Sequence, residues 1–111
     1  MGNKKIYNKL VRDKIPEIIK NNGQIPEIKV LDDLAFLEML DKKLIEECEE
    51  LVEAVGKDLK VSEMADIIEV LYAMADNMGV SVKEIENARC TKREQRGAFE
   101  KKILLISTEE V

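Results

Sequence analysis

A run of leucines at three- and four-residue steps is broken by one acid. Leu37, Leu40, Leu44, Leu51 and Val55 mark one face of an amphipathic helix, and Glu47 stands on that face where a structural helix wants an apolar side chain. An acid in a core-facing stripe is costly unless it is paired or ligands a metal. The feature therefore constrains fold and chemistry together, since the stripe needs a helical partner and the acid needs a cation. Asp32 or Asp33 suits the N-cap of this helix and Gly56 suits its end. At the rise of an α-helix, that makes a rod ~35 Å long.

Neighbouring signals predict more helix. Pro16 suits a first turn and Gly23 an end, which predicts a short helix over 15–22. Ser62 is expected to cap a further helix ending at Gly79, and Ser81 followed by Glu84 reads as a capping box for a fourth, reaching at least Lys92. Between Ile67 and Met78 only Glu69, Asp76 and Asn77 are strongly polar, so that helix must be buried on most sides. Tyr72 and Met74 are expected in its core. A chain of 111 residues with two other long helices hardly covers it. The expectation is one all-α domain over residues 1–111, a helical bundle completed by self-association into a homodimer or homotetramer. Residues 6–11 read as an extended or 3₁₀ lead-in. Ile28, Val30 and Leu31 are candidates for an edge segment, and Ile103–Ile106 for a short C-terminal strand or a docked tail. Phe99 is expected to anchor the C-terminal segment.

Composition excludes several kinds of chemistry. The chain has no histidine, which removes Ser-His-Asp and Cys-His catalysis and every His-containing metal site. Its formal charge of −5 makes a nucleic-acid polymer a poor partner. The two cysteines, Cys48 and Cys90, make no disulfide framework, and a cytoplasmic setting is expected. Cys48 reads as a small apolar filler whose acidic neighbours disfavour the thiolate. The N-terminus is polar, so no leader is expected, and no apolar run approaches the ~20 residues that span a bilayer.

The carboxylates carry the most specific message. Glu46, Glu47 and Glu50 form E-E-x-x-E, and Glu63 and Asp66 form E-x-x-D after a gap of twelve residues. Three-residue spacing puts each pair on one helical face. On adjacent antiparallel helices the two pairs can converge into an oxygen-only cage that suits Mg²⁺, or Mn²⁺ in its place. The ordinary alternative is a solvated surface with pairs such as Glu46–Lys42 or Glu53–Lys57. Basic residues flank this acidic middle. Lys4, Lys5, Lys9, Arg12 and Lys14 against Asp13 leave residues 1–14 at +4, and Arg89, Lys92, Arg93, Arg96, Lys101 and Lys102 against Glu94 and Glu100 leave residues 89–102 at +4. Two basic ends around an acidic centre suit a metal-bound polyphosphate.

These residues resemble the MazG-like and phosphoribosyl-ATP-pyrophosphohydrolase-like superfamily of all-α nucleoside triphosphate pyrophosphohydrolases, which carries E-E-x-x-E, a gap and E-x-x-D. Tyr7-Asn8-Lys9-Leu10-Val11-Arg12-Asp13-Lys14-Ile15-Pro16 is similar to the start of a small stand-alone branch. Lys92 with Arg96-Gly97-Ala98-Phe99 is similar to that branch's Lys…Arg-Gly-Gly-Phe, with alanine for the second glycine. The resemblance implies Glu47, Glu50, Glu63 and Asp66 as Mg²⁺ ligands. It implies Glu46 and Glu47 as the catalytic carboxylates, with Glu46 helping to orient or activate water. The reaction would be hydrolysis of an NTP or dNTP to NMP and pyrophosphate. Lys9, Arg12, Lys14, Lys92 and Arg96 are then candidates for the phosphates, and Tyr7 and Asn8 weaker ones for the base. Arg93 is better explained by the dipole of its helix C-terminus. Removal of non-standard nucleotides, hydrolysis of phosphoribosyl-ATP in histidine biosynthesis, and a non-catalytic helical oligomerisation module are the competing readings.

Overall fold

The computed structural model describes residues 3–111 and is all-α. The helices are α1 (Ile15–Asn21), α2 (Asp33–Glu53), α3 (Lys57–Asn77) and α4 (Val82–Arg96). They fall into two compact units, one running up to Gly79 and the other Val80–Val111.

In the first unit α2 packs on α3. Asp32 caps α2 by accepting from the Ala35 amide at 2.8 Å. The helix then stops at Glu53, three residues short of the expected glycine, and Ala54 turns extended. No basic residue lies in its last turn to satisfy the free carbonyls. Lys60 of α3 does so instead, donating from Nζ to the carbonyls of Leu51 at 2.6 Å and Val52 at 3.2 Å. Gly56 has φ +93° and ψ 155°, a conformation that a side chain disfavours, and α3 starts directly after it. The expected cap at Ser62 is therefore corrected. The glycine reverses the chain, and Ser62 lies inside α3. At the other end Asn77 Nδ2 donates to the Asp33 carbonyl at 3.4 Å, so α2 and α3 form a closed antiparallel hairpin.

Few apolar side chains in this hairpin are buried. Leu40, Val70 and Ala75 are the buried hydrophobic residues among those described. Met64, Ile68, Leu71 and Tyr72, one face of α3 by their spacing, are all exposed. Leu34, Ile45 and Val52 of α2 are also exposed. Tyr72 is thus not in the core of the single chain, and Met74 is only half-buried. One hairpin partner covers one side of a helix that is apolar on several.

In the second unit Ser81 caps α4, accepting from the Glu84 amide at 3.1 Å, and Arg89 holds Glu86 at 2.8 Å one turn on. Gly97 ends the helix with φ +83°. Phe99 is 97% exposed, contrary to the expectation of a packed anchor. Ile103–Ile106 form no strand, nor do Ile28, Val30 and Leu31. A strand needs a second edge for its backbone hydrogen bonds, and the described residues contain no other.

Candidate metal centre

Five acids are brought together by the hairpin. Glu46, Glu47 and Glu50 lie on the last turns of α2, and Glu63 and Asp66 on the second and third turns of α3. Carboxylate oxygens of Glu46, Glu47 and Glu50 lie within 4.8 Å of one another, as do those of Glu47, Glu63 and Asp66. Glu47 belongs to both triads. It is also the deepest member, 6% exposed, whereas Glu46, Glu63 and Asp66 are half-buried and Glu50 is exposed.

The cluster is undercompensated. Lys43 approaches Glu47 at 3.3 Å and Glu46 at 3.7 Å. From the N-terminal segment Lys9 reaches Glu46 at 3.1 Å, and Arg12 reaches Asp66 at 2.6 Å. Five carboxylates thus face three cations. Two buried acceptors, Oε2 of Glu47 and Oε2 of Glu63, have no hydrogen-bond partner among the described residues. An unpartnered buried polar atom is unfavourable by ~1–3 kcal/mol, and more when charged.

Titration reflects the crowding. Loss of water around its carboxylate, then the charge of Glu47 and that of Glu63, push Glu50 up to about 7, although the residue as a whole is exposed. Glu63 is also raised, first by desolvation and then by its contact with Glu47. Lys9 is raised by its hydrogen bond to Glu46. Carboxyl groups held above their ordinary range so close together are what a missing positive charge produces.

A divalent ion fits this arrangement. Oxygens sharing one Mg²⁺ at ~2.1 Å lie within ~4.2 Å of each other, so small side-chain rotations close either triad. The donors are all carboxylate oxygens, the preference of Mg²⁺ and Mn²⁺.

The other expected residues are placed less decisively. Tyr7 is 60% exposed, with Lys5 Nζ 5.0 Å from its ring centroid. Asn8 has φ +47°, a left-handed turn that asparagine tolerates well, directly ahead of Lys9. Lys14 is the exposed N-cap of α1 and has no ion pair among the described residues. Lys92 and Arg96 are exposed on α4 in the second unit, where Arg93 pairs with Glu100 at 3.1 Å. Cys48 is exposed and fills no core, because it lies one residue around the helix from Glu47. The Glu46–Lys42 pair of the solvated-surface alternative is not formed among the described residues; Glu46 meets Lys43 instead. Glu53 and Lys57 end and begin different helices and form no pair. Lys43 is a cation of the site that the motifs do not single out. Its signal was a lysine three and four residues ahead of Glu46 and Glu47, the spacing that brings side chains onto one face.

Comparison with known proteins adds the family. The family described as phosphoribosyl-ATP pyrophosphohydrolase matches residues 8–90. The chain belongs to that family. The match includes the N-terminal segment from Asn8, both acidic motifs and the hairpin between them; Lys92 and Arg96 lie beyond it. A 49-residue stretch is 47% identical to an uncharacterized protein of Mycolicibacterium smegmatis (strain ATCC 700084 / mc(2)155) and covers 44% of this chain. It covers 50% of that protein, so the match spans half the relative's length. No solved structure gives a significant match. Among the described residues no helix is long and apolar enough to cross a membrane.

Proposed function

We propose that this pyrophosphohydrolase-family chain hydrolyses a nucleoside triphosphate to the monophosphate and pyrophosphate with Mg²⁺. The observation that carries the reading is the convergence of both acidic motifs on Glu47, a buried carboxylate with an unpartnered oxygen. Glu47, Glu50, Glu63 and Asp66 would hold the metal. When bound, divalent ions polarise phosphoryl oxygens and lower the pKa of water. Glu46, which Lys9 holds in the metal-free chain, would orient the attacking water and take its proton once Lys9 turns to the phosphates. Lys9, Arg12 and Lys14 face the leaving pyrophosphate, with Lys92 and Arg96 as further candidates. Tyr7 and Asn8, next to Lys9 in the chain, are weaker candidates for the base. Phosphoryl transfer needs little else, since positioning and charge neutralisation dominate it.

Phosphoribosyl-ATP is the second substrate reading, favoured by the description of the matching family. A helical module without catalysis does not explain why two buried carboxylate oxygens go unpaired. The exposed apolar face of α3 supports a homodimer or homotetramer. Both cysteines are free, which agrees with a cytoplasmic setting.

Pyrophosphate release from a panel of standard and non-standard NTPs and phosphoribosyl-ATP tests the reading. It should require Mg²⁺ or Mn²⁺ and vanish in Glu63→Ala. Turnover that persists in EDTA would refute it. Sedimentation should show at least a dimer at micromolar concentration, and a 12.7 kDa species would refute the assembly.

A further inference from the structure

Lys9 and Arg12 are candidates for the phosphates, yet the structure shows both on the acids. Lys9 Nζ donates to Glu46 Oε1 at 3.1 Å and Arg12 donates to Asp66 Oδ1 at 2.6 Å. Glu46 and Asp66 sit in different triads, joined only by Glu47. The segment carrying the two cations has no regular structure, so little besides these two ion pairs and the turn into α1 fixes it. Its side chains stay accessible, 44% exposed for Lys9 and 57% for Arg12. Lys43 is different: it is 21% exposed and bound to its acids through the α2 backbone.

We propose that residues 9–12 are an exchangeable strap. Arg12 holds the ligand Asp66 in competition with a divalent ion, Lys9 on Glu46 opposes the ion by its charge beside the ligand Glu47, and both turn to the polyphosphate when the ion is bound. The inference rests on reading the acids as a metal site and adds a residue-level coupling to it. Its physical basis is reciprocal linkage. A cation that leaves a carboxylate when metal binds is free to bind phosphate, so metal and nucleotide strengthen each other's binding by the same factor. Exposed ion pairs are each worth roughly 1.5- to 5-fold in an equilibrium, and their strength falls with salt. Two such pairs make the strap weak enough to open and strong enough to measure.

The strap has a consequence opposite to that of a buttress. Residues that merely prop metal-binding carboxylates lower metal affinity when removed, typically by ~10–100-fold. Residues that compete with the metal raise it.

The test is Mn²⁺ binding followed by electron paramagnetic resonance at low ionic strength, on the full chain without nucleotide and then with a non-hydrolysable triphosphate. Lys9→Gln/Arg12→Gln should bind Mn²⁺ alone at least about twofold more tightly than wild type. It should also lose most of the strengthening that the triphosphate gives wild type. Lys20→Gln/Lys29→Gln, which removes two charges as well, from the last turn of α1 and the linker after it, should leave both values unchanged. Wild type that binds Mn²⁺ while the double variant binds it equally or more weakly would overturn the strap and leave the metal site standing. Wild type that binds no Mn²⁺ would overturn both. Both substituted side chains are exposed, and a retained helical circular dichroism spectrum confirms folding.

Discussion

Replacing Glu47 with glutamine should make the metal-free protein more stable and unable to use metal. Glu47 is 6% exposed, has one oxygen without a partner, and shares its space with the carboxylates of Glu50, Glu63 and Asp66. The amide keeps the shape, removes one negative charge and brings N–H donors into the triad that contains Glu63, whose Oε2 is unpaired. Satisfying buried acceptors is worth ~1–3 kcal/mol. The loss is the 3.3 Å pair with Lys43, an i,i+4 contact worth ~0.3–0.5 kcal/mol. The net gain is ~1–2 kcal/mol in EDTA, and each kcal/mol is roughly 4–8 °C in Tm for a small domain. Metal reverses the order. At a hundred times its Kd, a ligand stabilises wild type by ~2.7 kcal/mol and a variant that cannot bind it not at all. Thermal melts at one protomer concentration, with EDTA and with excess Mg²⁺, read both effects. A Glu47→Gln protein that melts below wild type in EDTA would refute the crowding argument. One that gains as much from Mg²⁺ as wild type does would refute Glu47 as a ligand.

Two further outcomes follow from the same geometry. In EDTA, stability should fall as pH rises from about 5 to 8. Glu50 titrates near 7 in the fold against an ordinary 4.5, so the folded state binds the extra proton in that window and loses the advantage above it. Urea midpoints that rise over this range would contradict the assignment, and excess Mg²⁺ should flatten the dependence. Lys60→Met keeps the aliphatic stem but leaves the carbonyls of Leu51 and Val52 without their donor. It should lower stability by ~1 kcal/mol and speed amide exchange in the last turn of α2, and an unchanged urea midpoint would refute the capping role.

Much of this protein was legible in its sequence, for local reasons. Asp32, Pro16 and Ser81 act within a turn of the residues they affect, and each stands at the start of its expected helix in the structure. The two acidic motifs could be read for the same reason, because i, i+3 spacing determines a helix face before any packing occurs. What acts across the hairpin could not be read. The start of α3 depends on the φ of Gly56, and the end of α2 on Lys60 reaching back across the turn. The depth of Glu47, the orphaned oxygens and the pairing of Arg12 with Asp66 exist only once two helices and a coil are placed together. Tertiary structure decided which acids lose water and which cations reach them, because burial and Coulomb energy depend on distances that chain order does not set.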